Sequence, residues 1–317
     1  MRVLITGGFG YLGGRIACYF VEQGAEVIIS SRKYKEQPDW CPSAKVVNIN
    51  WDNPHTLRAA CVGIDLVIHA AGINFYDCQL NPSKALLYNG VATAALVEAA
   101  VSEKVTRFIF LSTSHVYSDN LSGFISEETC TQNIHPYATS NRAGENSVLF
   151  AHANGTIQGI VLRLSNIIGA PSHKDVNVWE LLTNDLCFQA VTAQKMVLQS
   201  SGQQYRNFFG LKSFLLVLSQ IISRTFINST NTVFNVGNNY SMSVIDMAKL
   251  IKNRCDLILT NETIINISPQ NKVKTQTEKL IYSNEKIKNL GISIKSELED
   301  DIDSIINFCK INFSNPL

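Results

Sequence analysis

The chain has 317 residues, 45% of them hydrophobic and 17% charged, with 27 Lys and Arg against 26 Asp and Glu for a net charge of +1. That balance excludes a disordered chain and leaves room for one large or two modest domains with a substantial core. No basic stripe is present, so the electrostatic footprint of a nucleic-acid binder is missing. The eight cysteines and six histidines are scattered without paired spacing, which reads as reduced thiols and no metal site. A strand and glycine turn beginning at residue 2 leave no room for a secretory signal, and the most apolar stretch, 208–222, is broken by Lys212 and too short to span a bilayer. The expectation is a cytoplasmic protein with no membrane partner.

The chain opens Met1-Arg2-Val3-Leu4-Ile5-Thr6-Gly7-Gly8-Phe9-Gly10-Tyr11-Leu12-Gly13, and Ile16, Ala17, Phe20 and Val21 follow at helical spacing. An apolar run, a glycine cluster and an amphipathic stretch predict a strand, a tight turn and a helix. Free N–H groups at such a helix start, at Tyr11 and Leu12, together with the helix dipole, favour the pyrophosphate of a dinucleotide. Gly7 or Gly8 would make the turn, Gly10 would let the backbone approach the phosphates, and Gly13 would let helix and strand pack closely.

Further strands are expected at 26–31, 45–49, 66–70, 107–112 and 159–164, separated by helices at 10–23, 53–61, 82–102 and 137–153. That alternation, with strands apolar on both faces, predicts an α/β, Rossmann-like, doubly wound parallel sheet. The second predicted strand ends in Ser30-Ser31-Arg32-Lys33. A carboxylate there would hold the ribose hydroxyls of NAD and repel a 2′-phosphate. Two hydroxyls and two cations instead favour that phosphate through charge-assisted hydrogen bonds, so NADP(H) is preferred over NAD(H), through Ser31, Arg32 and Lys33.

After residue 164 the pattern changes. Helices are expected near 177–193, 212–226, 242–253 and 297–312, with short strands at 196–199, 233–236 and 263–267. A dinucleotide-binding domain over 1–164 is therefore followed by a smaller α/β substrate lobe over 165–317, of which about 205–240 returns to the first domain.

Taken in order, Thr6 to Gly13, Asp65-Leu66-Val67-Ile68-His69-Ala70-Ala71-Gly72, Leu111-Ser112-Thr113-Ser114-His115-Val116-Tyr117, Pro136-Tyr137-Ala138-Thr139-Ser140 and Arg163-Leu164-Ser165-Asn166-Ile167-Ile168-Gly169 resemble the extended short-chain dehydrogenase/reductases that act on nucleotide sugars as epimerases, dehydratases and reductases. The resemblance covers nearly the whole chain. It implies that Asn50 and Trp51 flank the adenine, that Ala70, Ala71 and Gly72 line the pyrophosphate, and that Asn89 lies near the nicotinamide. It further implies that Tyr137 and Thr113 carry the chemistry. Asn166 and Arg206, with Asn184 as a further candidate, would grip the diphosphate of a nucleotide-sugar substrate. Relatives of this kind dimerise through the helices corresponding to 82–102 and 137–153, so a homodimer is implied.

Two departures bear on the reaction. Sugar dehydratases carry Asp-Glu where this chain has Ser114-His115, so elimination of water has lost its acid and base. The family also places a Lys four residues after the Tyr, and here that residue is Asn141. An ammonium on the same helix face would pull the phenol pKa down from about 10. Asn141 can still hydrogen-bond the ribose but brings no charge. Arg142 lies about 100° further round the helix and is not a simple substitute. Oxidising an alcohol needs the phenolate, whereas reducing a ketone needs the phenol, so the substitution leans towards an NADPH-dependent keto-sugar reductase. An epimerase that retains its cofactor, and a dinucleotide-binding protein impaired in catalysis, stay open as alternatives.

Overall fold

A computed structural model describes residues 1–227, 229–260, 262–268, 278–295 and 297–313. The chain divides into two compact units. The first comprises Met1–Asp119, Thr129–Leu164 and Ser223–Phe234, and the second Asn120–Glu128, Ser165–Ile222 and Asn235–Leu317.

The first unit is built on β1 (Arg2–Thr6), β2 (Glu26–Ser31), β3 (Lys45–Asn48), β4 (Leu66–His69), β5 (Arg107–Thr113), β6 (Gln158–Leu164) and β7 (Val233–Val236), of which Val233 and Phe234 belong to this unit. These form a seven-stranded parallel sheet in the order β7-β6-β5-β4-β1-β2-β3. Val3, Leu4, Ile5, Val67, Ile68, Phe108, Ile109 and Val161 are wholly buried, as strands covered on both faces require. Strand β1 pairs on one side with β2 (Arg2 opposite Glu26) and on the other with β4 (Val3 opposite Leu66). The chain therefore leaves β1 in both directions, and the crevice beyond the carboxyl ends of β1 and β4 is the switch point where such sheets take ligands.

The helices of this unit are α1 (Tyr11–Glu22), α2 (Pro54–Cys61), α3 (Phe75–Leu80), α4 (Pro82–Ser102) and α5 (Pro136–Ala153). Helix α1 buries Ile16, Ala17 and Phe20 on one stripe. In α4 a π-helical turn, Leu86–Val91, interrupts the regular ladder, a feature that often marks functional positions. By length and composition α4 is the one described helix apolar enough to cross a membrane. Its Leu96, Val97, Ala99 and Ala100 belong to the core beside β4 and β5 residues, the position of a core helix. Helix α5 starts with Pro136 in its first turn and with His135 as cap, whose Nδ1 accepts from the Tyr137 N–H at 3.1 Å.

In the second unit the helices Leu182–Ala193, Val244–Leu259 and Leu298–Phe313 enclose a core of Leu186, Cys187, Ala190, Met247, Ile251, Cys255, Ile302, Ile306 and Cys309. Two-stranded pairings edge it: Lys195–Leu198 with Ile264–Ile267, and Gly123–Ile125 with Leu280–Tyr282. The second pairing explains why 120–128 belongs to this unit rather than to the first.

Candidate active site

The glycine turn after β1 is shaped by close approach. Gly7 has φ +71°, and a Cβ there would lie 2.8 Å from the backbone of Ala70 and Ala71. A Cβ on Gly13 would meet the Gly7 carbonyl oxygen at 2.2 Å, and one on Gly10 would meet the same oxygen at 3.1 Å. The N–H of Gly10 donates to that oxygen at 2.8 Å. Gly10 caps α1 without a side-chain hydrogen bond, a helix start of the kind that favours an anion. Gly10 lines the cavity over this turn, whereas Tyr11, Leu12 and Gly13 are not among its lining residues. Gly7→Ala combines a strained φ with a backbone clash. We expect it to destabilise the chain by about 1–3 kcal/mol and to weaken dinucleotide binding at least tenfold, read by calorimetric titration.

A cavity of about 610 Å³ opens over this turn. Its walls are Gly7, Phe9 and Gly10 after β1, Ser30 and Ser31 at the end of β2 with Arg32, Lys33 and Lys35 after it, Ile49 and Trp51 after β3, Ala70 to Ile73 after β4, and Tyr88 from α4. The cradle of unsubstituted glycines and the basic rim fit a dinucleotide. Arg32, Lys33 and Lys35 are exposed, and among the described residues none of them has a carboxylate partner. Asn50 is not among the lining residues: its Oδ1 accepts from Asp52 N–H and its own N–H donates to Thr56 Oγ1, so it caps the turn beneath Trp51. Phe9, Lys35 and Tyr88 also line the cavity, although no local pattern in the sequence singles them out.

Asn89 is buried behind Gly72. Its Oδ1 accepts from Ile73 N–H at 2.9 Å and its Nδ2 donates to Ser140 Oγ at 3.1 Å. It thereby ties the loop after β4 to α5. Beside it runs a buried relay. The Thr93 hydroxyl donates to the Asn89 carbonyl, so it must accept from Nε2–H of His69 at 2.9 Å. His69 Nδ1 then accepts from Thr6 Oγ1 at 2.5 Å. Burial pulls the His69 pKa down to about 3, and this histidine is a neutral structural link rather than a base.

Tyr137, on the first turn of α5, is hydrogen-bonded to the side chain of Thr113 at the end of β5. Burial pushes its phenol above the usual tyrosine value, and the Thr113 bond only partly offsets this. Phe75 and His115 pack against the ring, with centroids at 5.9 and 6.4 Å. Asn141 is buried and its Nδ2 turns back to donate to the Tyr137 carbonyl at 2.7 Å. Arg142 is engaged elsewhere, donating to Glu145 at 2.6 Å and to Thr131 at 3.0 Å. Among the described residues no ammonium contacts the phenol.

Behind Thr113 and Tyr137 lies an ionic cluster that sequence reading passed over. The wholly buried Glu145 accepts from Ser112 Oγ at 2.6 Å, from Arg163 Nε at 3.0 Å and Nη2 at 2.8 Å, and from Arg142. Arg163 also donates to Tyr117 Oη at 2.9 Å. Burial works to pull the Arg163 pKa down, and Glu145 and Tyr117 more than reverse it, holding it above the ordinary value.

In the second unit, Asn166 starts a short strand paired with Phe208–Gly210, and its Nδ2 donates to the Asn207 carbonyl at 2.9 Å. Arg206 sits in the strand Tyr205–Arg206, opposite Met242, so the two expected diphosphate ligands are brought to one stretch of backbone. Asn207, which the sequence did not single out, fixes that stretch by donating to the carbonyls of Asn238 and Tyr240 and accepting from Asn238 N–H. Asn184 is placed differently. It is wholly buried and donates to the Gly169 carbonyl at 3.2 Å.

Comparison with known proteins identifies relatives of the whole chain. The model of the NAD dependent epimerase/dehydratase family matches residues 3–237. A dTDP-D-glucose 4,6-dehydratase of Mus musculus is 26% identical over 339 residues, 99% of this chain and 90% of its own. A dTDP-6-deoxy-L-talose 4-dehydrogenase (NAD(P)(+)) of Kitasatospora kifunensis is 32% identical over 184 residues, 56% of either chain. The fold matches that of a UDP-glucuronic acid 4-epimerase from Bacillus cereus, solved with UDP-glucuronic acid and NAD, at a TM-score of 0.79 and 20% identity over 99% of this chain and 100% of that one. With three quarters of its length inside the family model, the chain belongs to the NAD dependent epimerase/dehydratase family of enzymes.

Proposed function

We propose that this enzyme is an NADP(H)-dependent oxidoreductase of nucleotide-linked sugars that works as a keto-sugar reductase. The coarser part is carried by its relatives, which are named for dehydratase, dehydrogenase and epimerase reactions of dTDP- and UDP-linked sugars. The reductive direction is supported by one observation: Asn141, whose Nδ2 donates to the Tyr137 carbonyl, stands where an ammonium would lower the phenol pKa, and burial pushes that pKa above the usual tyrosine value. Bound in the cavity, NADPH would supply the hydride to the carbonyl carbon. Tyr137 donates its phenolic proton to the carbonyl oxygen, and the Thr113 hydroxyl hydrogen-bonds the same oxygen. Asn166 and Arg206 hold the diphosphate, Arg206 as a planar fork. Asn184 would bear on it only through Gly169. Ser114 and His115 stand where a dehydratase needs its acid and base, which argues against elimination.

The decisive experiment incubates the chain with nucleotide 4-keto-sugars and follows NADPH absorbance. One NADPH consumed per sugar supports the reductase. Interconversion of sugars with no net consumption gives the epimerase reading instead, which the Bacillus cereus fold match favours. Asn141→Lys offers a second check. An ammonium within about 4–6 Å should lower the phenol pKa by roughly 1–3, so oxidation of the matching alcohol near neutral pH should rise about tenfold and its pH profile should move to lower pH.

A homodimer is part of the proposal. Leu86, Leu87 and Val91 on α4 and Phe150 on α5 are exposed large apolar side chains, Phe150 at 70%, which suits helix-to-helix association. Light scattering should give twice the chain mass, and Phe150→Glu should return it to the monomer.

A further inference from the structure

Two aromatic rings at the rim of the cofactor cavity have no part in the chemistry above, yet each carries a cation, and Tyr88 also has the Lys84 ammonium 6.0 Å from its centre. The Arg32 guanidinium carbon lies 5.4 Å from the centre of the Tyr88 ring, and the Lys35 ammonium lies 4.5 Å from the centre of the Phe9 ring. All four residues line the cavity. Tyr88 belongs to the π-helical turn of α4 and is brought to the end of β2 only by the fold. Phe9 lies in the glycine turn and meets Trp40 edge to face at 6.0 Å, and Trp40 lies in the loop that also carries Lys35.

A long exposed cation loses much side-chain freedom when it grips a phosphate. A ring beneath it removes part of that freedom beforehand. A guanidinium lying on an aromatic face still presents its N–H edge, the edge that a phosphate takes bidentately. A carboxylate partner would order the same cations but would also neutralise them and repel the phosphate. Among the described residues Arg32 and Lys35 have none, so the rings order the cations without cancelling their charge.

We propose that Tyr88, and with it Phe9, is a positioning residue for a 2′-phosphate subsite, holding Arg32 and Lys35 ready and so setting the preference for NADPH over NADH. The inference rests on the NADP(H) reading, because a ribose with a free 2′-hydroxyl offers these cations nothing to hold.

Calorimetric titration of the full-length chain with NADPH, NADH and adenosine 2′,5′-bisphosphate, at one fixed ionic strength, tests it. The wild type should bind NADPH more tightly than NADH. Tyr88→Leu should reduce that preference about three- to fivefold by weakening NADPH and the bisphosphate while sparing NADH, in keeping with the strength of an exposed cation–π contact. Tyr88→Phe, which keeps the ring, should hold the wild-type ratio. In an Arg32→Gln background, Tyr88→Leu should change the ratio no further. A wild type with no preference for NADPH overturns the NADP(H) reading and this inference with it. A wild type that prefers NADPH, with the preference unmoved by Tyr88→Leu, overturns the inference alone. So does an equal loss of NADPH and NADH affinity, which would make Tyr88 a structural residue only.

Discussion

Tyr137→Phe should lower the rate of keto-sugar reduction by a factor of about 10²–10⁴ while leaving NADPH affinity nearly unchanged. The substitution deletes one hydroxyl and little else. The ring keeps its contacts with Phe75 and His115, and the backbone N–H stays bonded to His135, so α5 keeps its start. What disappears is the proton held at the phenol and its bond to Thr113. Measured as kcat for NADPH consumption beside a calorimetric NADPH titration, the loss should fall almost wholly on kcat. The pH dependence carries the same information with a definite sign. A phenol whose pKa is raised by burial remains protonated throughout the neutral range, so the reductive rate should hold up to alkaline pH and fall only as pH rises through that raised value. The oxidative rate needs the phenolate and should climb over the same interval. If the Phe variant reduces keto-sugars at the wild-type rate, Tyr137 is not the proton donor and the proposed mechanism falls.

How far the sequence alone leads depends on what makes each element. Strands β1, β2, β4, β5 and β6 are buried on both faces, so each reads as an unbroken apolar run and was placed to within a residue or two. The glycine turn was legible because only glycine tolerates Gly7's φ and the space beside Gly13. In the second unit the four-residue strands Lys195–Leu198 and Ile264–Ile267 fall within a residue of the expected 196–199 and 263–267, but the shorter ones are not legible. Two or three residues, as in Tyr205–Arg206, hold no periodicity, and their pairing with Met242–Ser243 is decided by the fold. Helix α3 was missed as well, although Asn74 caps it by accepting from Asp77 N–H, a local signal that could have been read. Phe9, Lys35 and Tyr88 lay outside the sequence reading for a different reason. Tyr88 reaches the tip of β2 across more than fifty residues of chain, and no local pattern announces that. Asn184 is expected at the diphosphate, yet it is wholly buried. Its spacing from Cys187 puts it on the face of its helix that the lobe buries, and the periodicity of that helix held the clue.

Glu145 was passed over although it stands four residues beyond Asn141 and three beyond Arg142, the spacing at which side chains on a helix meet. We expect Glu145→Ala to cost about 3–5 kcal/mol of stability, measured by denaturant unfolding. The carboxylate is wholly buried, and the guanidinium it holds on β6, that of Arg163, is itself only 3% exposed. Removing Glu145 therefore leaves a buried charge with Tyr117 as its hydrogen-bond partner and takes the acceptor from Ser112. Arg142 is less affected, since a third of its side chain already reaches solvent. The position of the cluster extends the effect beyond stability. Ser112 precedes Thr113 on β5, and Glu145 lies two turns along α5 from Tyr137, so the carboxylate fastens the strand bearing one reacting hydroxyl to the helix bearing the other. Glu145→Gln, which keeps the shape and can still accept from Ser112, should recover part of the stability. In both variants Thr113 and Tyr137 lose their fixed separation. Under conditions where the variants remain folded, the loss should appear in kcat more than in NADPH affinity, because the cavity over the glycine turn shares no residue with the cluster. A Glu145→Ala chain as stable as the wild type would show that Arg163 is not held by this carboxylate, and the proposed fastening of β5 to α5 would have to be abandoned.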